Sequence, residues 1–404
     1  MSVHALEQPF RDAIADGKIY GVVMEGRSTS GAAYSQYIGT QIAPDGTTTP
    51  FSPTSMPYLA STTKLLTTLA ALQLVERGKL SLDEDLRPAL PALTALGVIT
   101  AFDPDTKQAT TTPFTNPLTI RQLLTHSAGQ DYAWYSPLRA QYQAAYPPPR
   151  PAPDQVTRFL MPAAYQPGEG WMYGCGIDMA AFLVERAAGQ RLDAYLREHV
   201  FAPVGMPPSD ISFFPKREGL AARVPDRNPD DPEGKGLASV VGIDMDDGGD
   251  ICYGGHGAYA TARAYVAVLE SILKNDGRVL GTDMVHEMFR PQLSGKAEEA
   301  LQSALAGPEG FGFGTSGKNR NWGLGGLQVG EDGDGGLGEG ALIWGGGCTT
   351  VWFIDPKNGI CGFASPVLHM PTDVTLAGEL RAAFRTKLGP VLKGIEHKLK
   401  GGAA

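Results

Sequence analysis

The sequence predicts an α+β fold: a central antiparallel sheet flanked by helices, with an inserted, mostly helical domain. Two sets of short strands, one near each end of the chain, are joined by turns tight enough to require antiparallel pairing. Between them stands a helix that is apolar on nearly every side, which fits burial in a core rather than on a surface. From Leu86 to about Pro203 the character changes, with many prolines and short helical stretches. Residues 1–86 and 205–404 therefore read as one discontinuous domain that builds the sheet, and 87–204 as an insert that forms a cleft beside it.

Each element has its own signal. Residues 5–17, with Leu6, Phe10 and Ile14 among polar neighbours, predict an amphipathic helix ending at Gly17; Pro9 fits it only in a first turn. Tyr20 to Gly26 and Ala33 to Gly39 predict two strands with Ser-Gly turn chemistry between them. The buried helix follows: after Lys64 come Leu65, Leu66, Leu69, Ala70, Ala71, Leu72, Leu74 and Val75, and Arg77-Gly78 marks its end. In the insert, short helices are predicted over Thr119 to His126, Gln155 to Leu160, Ile177 to Ala188 and Leu192 to Val200. Residues 207–250, rich in Pro, Asp and Gly, read as a long connection or lid. Ala264 to Lys274 and Thr282 to Met288 predict two more helices.

Glycine dominates from Gly310 to Gly347 and fits tight hairpins. Gly312-Phe313-Gly314-Thr315-Ser316-Gly317 matches a dinucleotide fingerprint in its letters, but no helix follows and no βαβ unit surrounds it, so that reading is rejected. Ala341 to Trp344, Thr350 to Asp355 and Ile360 to Ser365 predict three strands, with Pro356-Lys357-Asn358-Gly359 turning between the last two. An amphipathic helix from Thr375 to Leu388 closes the fold, stopped by Gly389-Pro390.

Composition narrows the function. The formal net charge is -9 and there is no basic run, which argues against nucleic acid as a partner. The N-terminus has scattered charges and no apolar signal-peptide core, and no stretch approaches the roughly 18 apolar residues of a membrane span. The expectation is a cytoplasmic protein without a membrane span. Cys175, Cys252, Cys348 and Cys361 are widely spaced with no C-x-x-C pair, so reduced thiols are expected, with no zinc site, metal or cofactor.

The chemistry centres on Ser61-Thr62-Thr63-Lys64 at the start of the buried helix. Residues three apart share a helix face, so Lys64 can reach the Ser61 hydroxyl. The helix N-terminus also presents unpaired N–H groups that favour negative charge. Ser-x-x-Lys is the nucleophile pattern of serine β-lactamases and penicillin-binding proteins. Ser271-Ile272-Leu273-Lys274 repeats it, but near the end of an amphipathic helix, where a solvated face is the better reading. For His126, at a helix end, a structural hydrogen bond is favoured over a general base.

Two further stretches complete a constellation: Gly170-Trp171-Met172-Tyr173-Gly174-Cys175-Gly176-Ile177-Asp178 and Trp344-Gly345-Gly346-Gly347-Cys348. Their order and spacing resemble the serine β-lactamase-like family, and more closely its class C-like esterase and acyltransferase branch, which includes a fungal acyltransferase of the lovastatin pathway. Leu59 to Thr68, Leu123-Leu124-Thr125-His126 and Cys252-Tyr253-Gly254-Gly255-His256-Gly257 extend the likeness over nearly the whole chain. The resemblance implies a β-lactamase/transpeptidase-like fold. It implies Ser61 as the acylated nucleophile, Lys64 and Tyr173 as its base system, and the N–H groups of Ser61 and Gly347 as an oxyanion hole. Physically, a Ser hydroxyl needs a base, and glycines let backbone approach a reacting carbonyl closely.

The departures matter as much. β-Lactamases carry Lys-Thr-Gly where this chain has Trp344-Gly345-Gly346, and Asn where it has Cys175. Losing that lysine removes a cation suited to a β-lactam carboxylate and points to an apolar acyl or alcohol site. Trp344, Gly345, Gly346, Tyr135, Trp171, Tyr259, Trp322 and His256, with Trp134, are the candidate substrate-binding residues.

The leading expectation is an acyltransferase. It moves a small acyl group from a thioester donor, on an acyl carrier protein or coenzyme A, through acyl-Ser61 to a hydroxyl of a hydrophobic secondary metabolite. The alternative is a carboxylesterase, in which water takes the acyl group; product partition between alcohol and water separates the two. A non-catalytic binding protein on the same fold is the third reading, and labelling by a serine-reactive fluorophosphonate would exclude it.

Overall fold

The computed structural model describes residues 2–42, 46–225, 249–307, 317–368 and 373–401. Helix α1 (Val3–Ala15) is capped by the Ser2 side chain on the Ala5 N–H. Pro9 stands inside it rather than in its first turn, a correction to the sequence expectation. Buried Leu6, Phe10 and Ala13 hold the helix down on both sides of the proline. Strands β1 (Gly21–Ser28), β2 (Ala33–Ile42) and β3 (Thr48–Pro50) follow as a meander. A 3-10 turn over Ala60–Thr62 then leads into α2 (Thr63–Glu76), every residue of which from Thr63 to Leu74 is buried.

Next come α3 (Pro91–Leu96), a hairpin of β4 (Val98–Asp103) and β5 (Gln108–Thr112), α4 (Ile120–Leu124), α5 (Pro137–Ala145), α6 (Gln155–Arg158), α7 (Gly176–Ala188) and α8 (Leu192–Leu196). The hairpin was not legible, because β5 is exposed along most of its length and shows no apolar alternation. Helix α4 is shorter than expected: Thr119 caps it in a capping box, but His126 leaves the helical region at φ 60°. Strand β6 (Ile211–Ser212) pairs with β7 (Tyr259–Ala260). Residues 226–248 of the expected connection or lid lie outside the described residues, as do residues 312–316 of the rejected fingerprint.

Helices α9 (Ala262–Lys274), α10 (Thr282–Met288) and α11 (Gly295–Ala306) precede the C-terminal strands. Those are β8 (Asn321–Trp322), β9 (Leu327–Gln328), β10 (Leu342–Gly345), β11 (Val351–Asp355) and β12 (Ile360–Ser365), and α12 (Val374–Gly401) ends the description. Eight strands form one antiparallel sheet in the order β3-β2-β1-β12-β11-β10-β9-β8. The two ends of the chain meet in it: β1 pairs with β12, Val23 opposite Ser365 and Ser28 opposite Ile360.

Helices cover both faces. On one, the cross-strand pair Gly26 and Gly362 leaves room for Leu388 of α12; a Cβ at either glycine would fall 2.7 or 2.5 Å from that side chain. On the other, Tyr265 of α9 packs on Phe363, ring centroids 4.8 Å apart, and donates its hydroxyl to Thr62 O at 3.0 Å. The start of α2 is thereby tied to the sheet.

Gly389-Pro390 does not stop α12, a second correction. A proline inside a helix costs about 3 kcal/mol. Beyond it, however, Val391 and Leu392 are buried, and each such side chain contributes roughly 1.5–3 kcal/mol. Burial therefore outweighs the local signal. Among the described residues, no helix is long and apolar enough to cross a membrane.

Candidate active site

Ser61 sits in the 3-10 turn where the chain enters α2. The residue before it, Ala60, is held at φ 46°, which is unfavourable for a residue with a Cβ and costs roughly 1–2 kcal/mol. Several bonds hold it there. Leu59 N donates to Ala258 O at 2.9 Å, Ala258 N donates to Thr63 Oγ1 at 3.2 Å, and Thr62 Oγ1 meets Thr350 Oγ1 at 2.7 Å. The turn is clamped between the β7 segment and the start of β11. Ser61 itself is half-buried and so remains accessible.

Lys64 lies one turn on and is buried at 2% exposure. Its Nζ donates to Ser61 Oγ at 3.2 Å, Tyr132 OH at 3.1 Å and Gly255 O at 2.7 Å. Three oxygens thus surround one nitrogen with three bonding directions. Nζ also stands 4.7 Å from the centroid of the Tyr173 ring. Tyr173 OH accepts the indole N–H of Trp344 at 3.1 Å.

The two tyrosines are neighbours because their backbones pair. Tyr132 N donates to Tyr173 O at 3.2 Å and Cys175 N to Gln130 O at 2.8 Å. Gly174 permits this approach, since a Cβ there would fall 2.0 Å from Gln130 O. Tyr132 stacks on Trp134, centroids 4.3 Å apart and rings 7° from parallel. Burial pushes its hydroxyl well above the usual phenol range, with the Asp178 and Tyr173 charges adding to the effect. It therefore stays protonated at neutral pH and can orient Lys64 without competing for its proton.

Behind Lys64 is Asp178, near the start of α7 and fully buried. Its Oδ1 accepts Gly255 N–H at 2.8 Å, so the carboxylate and the ammonium hold opposite sides of Gly255. Burial pushes this carboxyl up to about 6, against the opposing pull of Lys64. A Cβ at Gly255 would strike Asp178 Oδ2 at 2.3 Å. Glycine is required where three elements converge.

His126 acts structurally. Its Nδ1 accepts Gly174 N–H at 3.3 Å, and its ring lies 4.6 Å from that of Tyr173. Burial, then the charge of Lys64, hold its pKa well below the usual histidine value. It is a neutral acceptor that props the Tyr173 turn.

A family model described as Beta-lactamase matches residues 6–365. The chain belongs to the β-lactamase family. It is 39% identical to a lovastatin esterase of Penicillium rubens over 94% of this chain and 96% of that one. It is 34% identical to monacolin J acid methylbutanoyltransferase of Aspergillus terreus over 89% of each. Among solved structures, unliganded simvastatin synthase from Aspergillus terreus superposes with a TM-score of 0.82 at 34% identity, covering 96% of this chain and 98% of that one. The fold is thus that of the β-lactamases and transpeptidases, in the branch where close relatives are serine acyltransferases and esterases.

Within that family frame, the sequence candidates separate into layers. Ser61, Lys64, Tyr173 and Trp344 form a chain of contacts: Lys64 Nζ bonds to Ser61 Oγ and stands over the Tyr173 ring, and Tyr173 OH accepts from Trp344. Gly345 ends β10, and Gly346 abuts the Leu59–Ala60 backbone. Gly347 is half-buried, like Tyr135 and Tyr259. Trp134 is exposed at 42%. Trp322 and Trp171 are buried, Trp322 4.7 Å from Trp344 and Trp171 5.3 Å from Trp322. Trp322 packs against Trp344, which at 2% exposure is itself closed to solvent. His256 is buried too, stacked on Tyr253 at 5.0 Å, with Nδ1 3.9 Å from Asp178; its neighbour Gly255 is what reaches Lys64. Tyr132 and Asp178 were missed. Tyr132 has no sequence spacing to Lys64, and Asp178 reads as an acidic residue in a first helical turn. Among the described residues, no cluster of His, Cys, Asp and Glu suits a metal ion.

The second Ser-x-x-Lys is not the solvated face expected, because Ser271 is buried while Lys274 is exposed, and it separates into two unrelated contacts. Ser271 Oγ donates to Asp276 at 2.6 Å and Lys274 pairs with Glu270 at 2.6 Å.

Proposed function

We propose that this chain is a serine acyltransferase that carries a small acyl group on Ser61 and delivers it to a hydroxyl of a hydrophobic secondary metabolite. The observation that carries this reading is the 3.2 Å contact of buried Lys64 Nζ with Ser61 Oγ. In the form that reacts, the Lys64–Tyr173 pair is one proton short, as neutral amine or phenolate; Ser61 Oγ attacks the acyl carbonyl of an ester or thioester, and its proton fills that place. The carbonyl oxygen becomes an oxyanion received by the N–H groups of Ser61 and Gly347. As the tetrahedral intermediate collapses, the bond to the leaving thiol or alcohol breaks, and the pair returns the proton to it. An acceptor hydroxyl then attacks acyl-Ser61 by the same steps, restoring Ser61. The acyl donor is a thioester on an acyl carrier protein or coenzyme A, and the reaction needs no cofactor.

The aromatic surroundings support a hydrophobic acceptor: exposed Trp134, half-buried Tyr135 and Tyr259, and Trp344 where lactam-hydrolysing members of the family carry a lysine. Hydrolysis of the same acyl-enzyme is the second reading, favoured by the 39% identity to a lovastatin esterase. Product partition decides between them. A short-chain acyl thioester is supplied with a hydrophobic polycyclic alcohol, and ester and free acid are quantified. Ester in excess of acid supports the transferase; acid alone at saturating alcohol makes the enzyme an esterase.

A further inference from the structure

The C-terminal helix reaches the turn between β10 and β11 that carries Gly346 and Gly347. Arg381 of α12 donates from Nη2 to Gly346 O at 2.8 Å and from Nε to Thr350 O at 3.4 Å. Thr350 O also accepts Gly346 N–H at 3.3 Å, so one guanidinium holds both sides of the turn that links β10 to β11. Thr350 Oγ1 in turn meets Thr62 Oγ1, next to Ser61. Arg385, a buried arginine one turn further along this helix, goes elsewhere: its Nε donates to Gly335 O at 3.1 Å.

Gly346 O and Gly347 N–H are the two ends of one peptide unit. Among the described residues the single cis peptide is Arg150-Pro151, so this unit is trans, and its C=O and N–H point in opposite directions. A guanidinium on the carbonyl therefore sets where the N–H points. It also polarises the amide and strengthens that N–H as a donor. The turn needs such an anchor because three successive glycines impose little conformational preference of their own. On its other side Gly346 is packed tightly: a Cβ there would fall 2.6 Å from Leu59 O and 3.0 Å from Ala60 Cβ.

We infer that Arg381 is a positioning residue for the oxyanion hole, holding the Gly346–Gly347 peptide so that the Gly347 N–H meets the developing oxyanion, and tying it through Thr350 and Thr62 to the Ser61 turn. This rests on the proposed acyl-Ser61 chemistry. Arg381 touches no reacting atom; it acts through a backbone amide. Its removal lowers the rate of acylation and the affinity for tetrahedral mimics, and leaves ground-state binding of the ester nearly unchanged.

The test measures the first-order rate of acyl-enzyme formation from p-nitrophenyl butyrate and the affinity for an alkyl boronic acid, which forms a tetrahedral adduct with serine. Both are read on wild type, Arg381→Met, Arg381→Lys and the control Arg385→Met, alongside Tm. Losing one oxyanion donor costs about 10²-fold, so Arg381→Met should acylate about 10²-fold more slowly and bind the boronate correspondingly less tightly, with KM shifted by less than about threefold. Arg381→Lys, which can reach one carbonyl, should recover about tenfold of that loss. Arg385→Met should lower Tm and leave the acylation rate within about twofold. Arg381→Met acylating and binding boronate like wild type overturns the inference. If that variant does not fold, Arg381→Lys decides: a wild-type rate and boronate affinity overturn it, and an intermediate rate supports it. Absence of any adduct on wild-type Ser61 overturns the acyl-enzyme reading, and this inference with it.

Discussion

Lys64 Nζ donates to the hydroxyl of Tyr132 at 3.1 Å while standing 4.7 Å over the ring of Tyr173. The buried amine thus has two phenols beside it in different roles. Tyr132 is a hydrogen-bond acceptor whose proton burial retains. Tyr173 presents its π face to the amine and its oxygen to Trp344.

Tyr132→Phe should lower the acylation rate by about 10–100-fold, because a bond to a charged donor contributes roughly 1.5–3 kcal/mol and Lys64 loses one of its three acceptors. The ring and its stack on Trp134 remain, so Tm should change little. Stopped-flow acylation with Tm measured on the same preparation checks this; an unchanged rate would reduce Tyr132 to packing.

Changing Ser271 to Ala should leave turnover within about twofold of wild type. The lost bond to Asp276 costs stability of about 1 kcal/mol. A tenfold fall in activity at normal Tm would mean that the ranking of the two Ser-x-x-Lys sites is wrong.

His126 makes stability depend on pH. Its folded pKa is depressed, so below the unfolded value of about 6.5 only the unfolded chain takes up the proton. The stability present above 6.5 is lost as pH falls, by about 1.4 kcal/mol per unit until the folded form also titrates. His126→Asn keeps an acceptor for Gly174 N–H and tolerates φ 60°, yet cannot titrate. Urea denaturation from pH 7 to 5 should show that slope reduced by one proton in the Asn variant. Identical slopes would contradict the assignment.

Neutral esters should outperform β-lactams in kcat/KM by at least about 10²-fold. A β-lactam carboxylate needs a positioned cation, and here Trp344 occupies that position with its N–H committed to Tyr173. Loss of a charged hydrogen bond in a partly buried site amounts to roughly 2–4 kcal/mol. Assaying penicillin and p-nitrophenyl butyrate on one preparation settles the point, with comparable rates counting against it.

What could be read from the chain was local. Ser61 and Lys64 share a helical turn, Tyr173 precedes a helix, and the glycines of 345–347 interrupt a strand, so each carries its own signature. Tyr132, Asp178 and Arg381 reach the site only through tertiary contacts that bridge 68, 77 and 35 residues of chain, for which no spacing rule exists. The β4–β5 hairpin escaped notice because its side chains face solvent, and α12 ran past Pro390 because burial of Val391 and Leu392 outweighed the break. The layering of the tryptophans was likewise invisible: Trp171, Trp322 and Trp344 look alike in sequence, and only packing shows which one touches Tyr173.

The central claim is that Ser61 carries the acyl group, and intact-mass spectrometry of the enzyme quenched during turnover of a butyryl ester tests it most directly. Wild type should gain the mass of one butyryl group, localised by peptide mapping to the segment containing Ser61, and Ser61→Ala should gain none while keeping its Tm within the effect of about 1 kcal/mol expected for the lost hydrogen bond from Lys64. An adduct of equal yield on the Ala variant, or one mapped to another residue, would contradict the account.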